Sequence, residues 1–172
     1  MRQERTRRDD GFTLVELLIV VAIIGILAAT VTAQLIKARA AANESAAIAS
    51  LRSIATGQIS FAESCGRGAY ADTLPTLGMG STPFVSPDLT TNAVILKSGF
   101  HVTLTAGLGS AAGLPDCNGQ PTVDAFYASA QPATFNVSGS RSFAVATPGT
   151  IWQVVAAAAP TEPFGPPATP LN

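Results

Sequence analysis

The run "DDGFTLVELLIVVAIIGILAAT", Asp9 to Thr30, places a carboxylate, Glu16, inside an otherwise apolar segment, five residues after Gly11. Two kinds of chemistry fit that placement. Thr13 and Glu16 have the S/T-x-x-E spacing of a capping box, in which each side chain accepts from an amide that the helix start leaves unpaired. A carboxylate one turn into hydrocarbon also costs up to about 3 kcal/mol, so a cation partner would relieve it. Cys65 and Cys117 match neither a CxxC redox pair nor a zinc pattern, which leaves a disulfide as the expected state and two buried thiols as the alternative. His101 is the single histidine and sits in a strand-like alternation, where a sheet residue is expected and a catalyst is not. No constellation of nucleophile, base and orienting group is present, so the chain is not expected to be an enzyme, and no cofactor is implied.

These residues need elements to position them. Residues 17–36, "LLIVVAIIGILAATVTAQLI", carry no charge, and at about 1.5 Å per residue they span the roughly 30 Å of a bilayer core. Arg2, Arg5, Arg7 and Arg8 precede the run. The positive-inside rule then places the N-terminus in the cytoplasm and the chain after Lys37 outside. Residues 37–64 continue with alanine-rich, proline-free, helix-favouring composition. Ile48, Leu51, Ala55, Ile59 and Ala62 recur at helical steps, which predicts one helix from about Thr13 to Ser64, apolar all round in its first half and amphipathic in its second.

After a Gly- and Pro-rich connection at 65–88, five short β-branched or aromatic segments follow, at 93–98, 100–106, 124–133, 141–147 and 150–155, with "SGF" and "TPGT" as hairpin turns. The expected fold class is α+β, a long N-terminal helix packed on a small antiparallel sheet. The expected divisions are a leader at 1–11, an apolar helix at 12–36, an amphipathic helix half at 37–64, a head domain at 65–155 and a tail at 156–172. That tail holds Pro160, Pro163, Pro166, Pro167 and Pro170, a composition expected to be extended or disordered. Ten Lys and Arg against eleven Asp and Glu leave a net charge of -1, with no broad basic surface for nucleic acid.

The order Gly11, Phe12, Thr13, Leu14, then Glu16 and some twenty apolar residues, resembles the class III signal of type IV pilins and type II secretion pseudopilins. The resemblance covers residues 5–30. It implies that a membrane-embedded prepilin peptidase cuts after Gly11 and methylates the new N-terminus at Phe12, and that Glu16 of one subunit pairs with the Phe12 amine of a neighbour during assembly. The lack of a Cβ at Gly11 lets the backbone come close to the peptidase's catalytic groups. Gly25 matches a glycine usual in the family's apolar helix, whereas Ala33 stands where the family often has proline, which leaves a kink or melted turn there open. The "GSRSFAVAT" segment, 139–147, resembles the hairpin near the C-terminus of small pilin-like proteins. Asp116 and Asp124 flank a loop comparable to the calcium loop of major pseudopilins, though their spacing matches no strict ligand pattern.

The resemblance implies a structural subunit of a helical homo-oligomer, made as a single-pass protein of the bacterial inner membrane and handled by pilus or type II secretion assembly machinery, ending in a surface filament or a periplasmic pseudopilus. Two other functions compete on the same residues. One is a monomeric membrane-anchored binding protein, whose helix is only an anchor. The other is a DNA-uptake pilin, for which the charge distribution offers little. Asn43 and Asn136 each fit N-x-[ST], a short pattern with frequent chance matches.

Overall fold

The computed structural model describes residues 11–171. The leader residues 1–10, with their arginines, and Asn172 lie outside the described residues. Helix α1 runs Leu14–Ser64 and remains helical through Ala33, consistent with the absence of proline there. The chain forms two compact units, one ending at Ile36 and the other beginning at Lys37.

In the first unit, apolar side chains of α1 point outward on every side: Leu14 is 78%, Val15 63%, Val21 61% and Ile26 68% exposed. A helix of this kind has no buried face to stabilise it in water, and both its length and its composition suit a membrane span.

In the second unit, α1 contributes one buried stripe, Ala47, Leu51, Ile54, Gln58 and Phe61, which Cys65 continues just past the helix end. The stripe steps by four and three residues alternately, as one helical face requires. It is rotated from the expected face, since Ile59 is 51% exposed. Gln58 explains the difference. A polar residue at the centre of the stripe hides the periodicity, yet Gln58 is fully buried because its amide acts as a strand partner. Gln58 Nε2 donates to the Ala71 carbonyl at 2.8 Å, and the Ala71 N–H donates to Gln58 Oε1 at 2.8 Å.

The stripe packs against an antiparallel sheet. Strands β1 (Tyr70–Ala71) and β4 (Thr122–Val123) pair as a small ribbon. A short helix α2 (Leu74–Leu77) and a 3-10 turn (Pro87–Leu89) fill the connection that sequence patterning treats as loop. The main sheet contains β2 (Val94–Lys97), β3 (Phe100–Ala106), β5 (Phe126–Pro132), β6 (Ser142–Ala146), β7 (Ile151–Val154) and β8 (Thr169–Pro170), in the order β2-β3-β5-β6-β7-β8. All neighbours are antiparallel. The fold is therefore α+β, as expected. Phe100, Val102, Leu104, Phe143 and Val145 point into the core that Leu51, Ile54 and Phe61 fill from the helix. The β2–β3 hairpin turns on Ser98 and Gly99, at φ 48° and 73°, the two positive angles that a tight two-residue hairpin demands.

The C-terminal segment, expected to be extended or disordered, is packed on the sheet and ends as a strand. Residues 155–168 cross over to β8, which pairs with β7 through Trp152–Pro170 and Gln153–Thr169. Phe164 stacks on Trp152 with ring centres 5.3 Å apart and lies 6.3 Å from Tyr127. The Tyr127 hydroxyl donates to the Pro160 carbonyl, and Ser142 Oγ donates to those of Ala156 and Ala157. Proline-rich composition suggests disorder because prolines cannot donate to a ladder. Here side-chain hydroxyls and a stack of three aromatic rings hold the segment instead.

Candidate functional site

The candidate site begins at Gly11. A Cβ added there would meet nothing within 4 Å, so packing within the fold does not require glycine at this position. The same holds at Gly25. Phe12 is 85% exposed and precedes a helix start that Thr13 and Glu16 close reciprocally. The Thr13 N–H donates to Glu16 Oε2 at 3.0 Å, Thr13 Oγ1 donates to the same oxygen at 2.8 Å, and the Glu16 N–H donates to Thr13 Oγ1 at 3.2 Å. This is the capping box that the spacing predicts. Both bonds to the carboxylate end on Oε2, so Oε1 has no partner among the described residues. The carboxylate is thus held in place one turn from Phe12 with an open acceptor.

The remaining candidates separate. Cys65 and Cys117 are joined in a disulfide with Cα atoms 4.9 Å apart, tying the end of α1 to the loop before β4; the Cys117 N–H also donates to the Cys65 carbonyl at 3.0 Å. Asp116 and Asp124 bond to separate partners. Asp116 is buried, and its Oδ1 accepts from the N–H groups of Asn118 and Gln120, both at 2.7 Å, closing its own turn. Asp124 Oδ1 accepts from Ser110 Oγ and the Ala111 N–H at 2.8 and 2.9 Å, and these bonds, Ser110 first, hold its carboxyl below the usual range. No group of three or more His, Cys, Asp or Glu side chains that could hold a metal occurs among the described residues. His101 lies exposed on β3, opposite Leu96 on one side and Gln131 on the other.

Sequence patterning passes over Glu44. It lies 4% exposed on α1 and gathers donors from the start of β6. Oε1 accepts from the Ser140 N–H at 2.7 Å, Ser140 Oγ at 3.0 Å and the Arg141 N–H at 3.1 Å; Oε2 accepts from Arg141 Nε at 2.9 Å and Nη2 at 2.7 Å. Burial pushes this carboxyl up, but the donors of Ser140 and Arg141 outweigh it and the net displacement is below the ordinary glutamate value. Arg141 Nη1 continues to Gln153 Oε1 at 2.8 Å, joining β6 to β7. Its neighbours Asn43 and Ser45 are polar, with alanines beyond them, and give no sign in the sequence that this charge is buried.

An exposed apolar helix, opened by a capped glutamate directly after a glycine that the fold does not need, is the part of the chain that is similar to known proteins. Residues 6–32 match the family model described as the prokaryotic N-terminal methylation motif. The chain is also 52% identical over 54 residues to the type IV major pilin protein PilA of Myxococcus xanthus. That stretch is 31% of this chain and 24% of the relative, so the chain matches about a quarter of that protein's length. No solved structure matches the chain.

Proposed function

We propose that the chain is a prepilin-type structural subunit, cut after Gly11 by a prepilin peptidase, N-methylated at Phe12, and polymerised through α1 into a type IV pilus filament. The observation that carries this proposal is the outward-facing apolar surface of the first unit, with Glu16 held at its start. Such a surface is stable only in lipid or among copies of itself. The precursor would occupy the inner membrane with its leader in the cytoplasm, and the second unit would lie outside.

Cleavage at Gly11 turns the Phe12 amide nitrogen into a cationic amine. Glu16 of a neighbouring subunit then has the positive partner that lipid withholds. At about 4 Å and an effective dielectric of about 20, the attraction is roughly 4 kcal/mol before desolvation costs. Polymerisation along a fibre repeats one heterologous, non-closing contact.

Intact mass of the protein extracted from membranes, together with identification of the subunit in filaments sheared from cells, tests the proposal. Loss of residues 1–11 with one added methyl, and the chain present in filaments, is the expected result. An unprocessed chain starting at Met1 in cells with active prepilin peptidase would overturn it.

A further inference from the structure

Two N-x-[ST] sites occur in the second unit, and their environments differ. Asn43 lies within α1, partly buried, and its side-chain nitrogen is in use, with Nδ2 donating to the Ser138 carbonyl at 3.0 Å. An amide in the interior of a helix and engaged in a tertiary bond cannot be drawn out into a transferase without breaking the helix. Asn136 lies on the exposed loop between β5 and β6, at φ 63°. Its N–H donates to the Gly139 carbonyl at 2.8 Å, which fixes the turn, while its side chain makes no hydrogen bond among the described residues. Val137 beside it is 59% exposed. Ser138, the hydroxyl two residues on, bonds only within the loop, donating to the Thr134 carbonyl and accepting the Thr134 N–H, both at 3.0 Å and both exposed.

The loop is nevertheless anchored. Glu44 and Asn43 hold its far end through Ser140, Arg141 and Ser138, and a Cβ on Gly139 would strike the Phe100 ring at 2.5 Å. An exposed tip on a fixed base can carry a bulky substituent without disturbing the core.

From this contrast we propose that Asn136, and not Asn43, is the acceptor of an N-linked glycan. The donor would be a polyprenyl-diphosphate-linked sugar. Asn136 Nδ2 forms a bond to the anomeric carbon, the bond from that carbon to the diphosphate oxygen breaks, the diphosphate leaves with the electron pair, and one amide proton passes to a base on the transferase. Nothing is oxidised or reduced. The inference rests on the preceding proposal in one respect, that the second unit lies outside the cytoplasm where such donors are presented.

Tryptic peptides of the full chain purified from cells that naturally make it provide the test. The peptide Ser98–Arg141 holds Asn136, and Ala40–Arg52 holds Asn43. The expected result is a glycan mass on the first peptide alone, localised to Asn136 by fragmentation. It should be lost in Asn136→Asp, which tolerates the same left-handed backbone, and in Ser138→Ala, which keeps the asparagine. An unmodified Ser98–Arg141 peptide in protein correctly processed to Phe12 would overturn the glycan while leaving the subunit proposal standing. A mass that persists in Asn136→Asp, or one on Ala40–Arg52, would overturn it equally. A chain still beginning at Met1 would instead count against the processing and leave the peptide result to be read by itself.

Discussion

Arg141 Nη2 lies 2.7 Å from Glu44 Oε2, across 97 positions of sequence, and the two residues join α1 to the entrance of β6. The Glu44 carboxylate is 6% exposed in its side chain and the Arg141 side chain 37%, so the carboxylate bears most of the desolvation. Replacing Glu44 by alanine strands the guanidinium and the Ser140 and Arg141 amides. A loss of about 3 kcal/mol is expected, the low end for a broken buried pair because Arg141 still reaches water. Thermal unfolding of the full chain in detergent reads the loss; a change below about 1 kcal/mol would show that the pair does not anchor the loop.

The same pair makes stability depend on acidity. Glu44 is held below its unfolded value of about 4.3. Its contribution is therefore fully present above that value and is lost as pH falls through the lower folded value. Glu44→Gln should be less stable at neutral pH and should lose less on acidification. Parallel acid-unfolding curves for the two proteins would contradict the assignment.

Gln58 completes Ala71 from within the core. Gln58→Leu conserves much of the volume but leaves a buried N–H and a buried carbonyl unpaired, at about 1–3 kcal/mol each. Thermal unfolding should fall accordingly, and hydrogen exchange at the Ala71 amide should accelerate. An unchanged Ala71 exchange rate would show that the bond is dispensable.

Reducing the Cys65–Cys117 bond releases a loop of 52-residue separation. The chain-entropy model gives a loss of about 4 kcal/mol, an upper figure for a real protein. The double Cys→Ala chain should unfold earlier, and added reductant should have no further effect on it.

At the helix start, the cap and the proposed assembly contact can be told apart. Thr13→Ala removes the two bonds made through Oγ1 while the Thr13 N–H keeps its bond to Glu16; it should cost about 1 kcal/mol locally, leaving filaments intact. Glu16→Gln keeps an acceptor but removes the charge. Under the subunit proposal it is processed to Phe12 yet absent from sheared filaments, and normal filament yield from Glu16→Gln would sink the pairing.

Phe164 covers Trp152. Phe164→Ala should shift Trp152 fluorescence to longer wavelength and raise protease sensitivity after Val155, since the crossing segment loses its stacked ring.

The N-terminal half of the chain was legible because its physics is local. Twenty uncharged residues specify a helix suited to lipid whatever follows them, and Thr13-x-x-Glu16 specifies a cap within one turn. The strand segments were legible for the same reason, as β-branched runs between turn residues. Local patterning failed wherever a polar residue is buried by a distant partner. Gln58 broke the helical stripe because Ala71 satisfies it, and Glu44 carried no signal at all because its partner Arg141 is far along the chain.

The prolines of the tail left extended and disordered chain undistinguished. Their composition reports only what the backbone cannot donate, whereas Tyr127, Ser142 and Trp152 determine what the segment can rest on. By itself, then, the sequence determined the apolar helix, its capped start after Gly11, and the α+β class, since periodicity and spacing are properties of neighbouring residues. The tertiary structure alone decided which polar groups enter the core, that Asp116 and Asp124 serve separate turns, and which asparagine stands free. Those outcomes depend on whether a partner lies within hydrogen-bond reach, and spacing along a chain does not encode that distance.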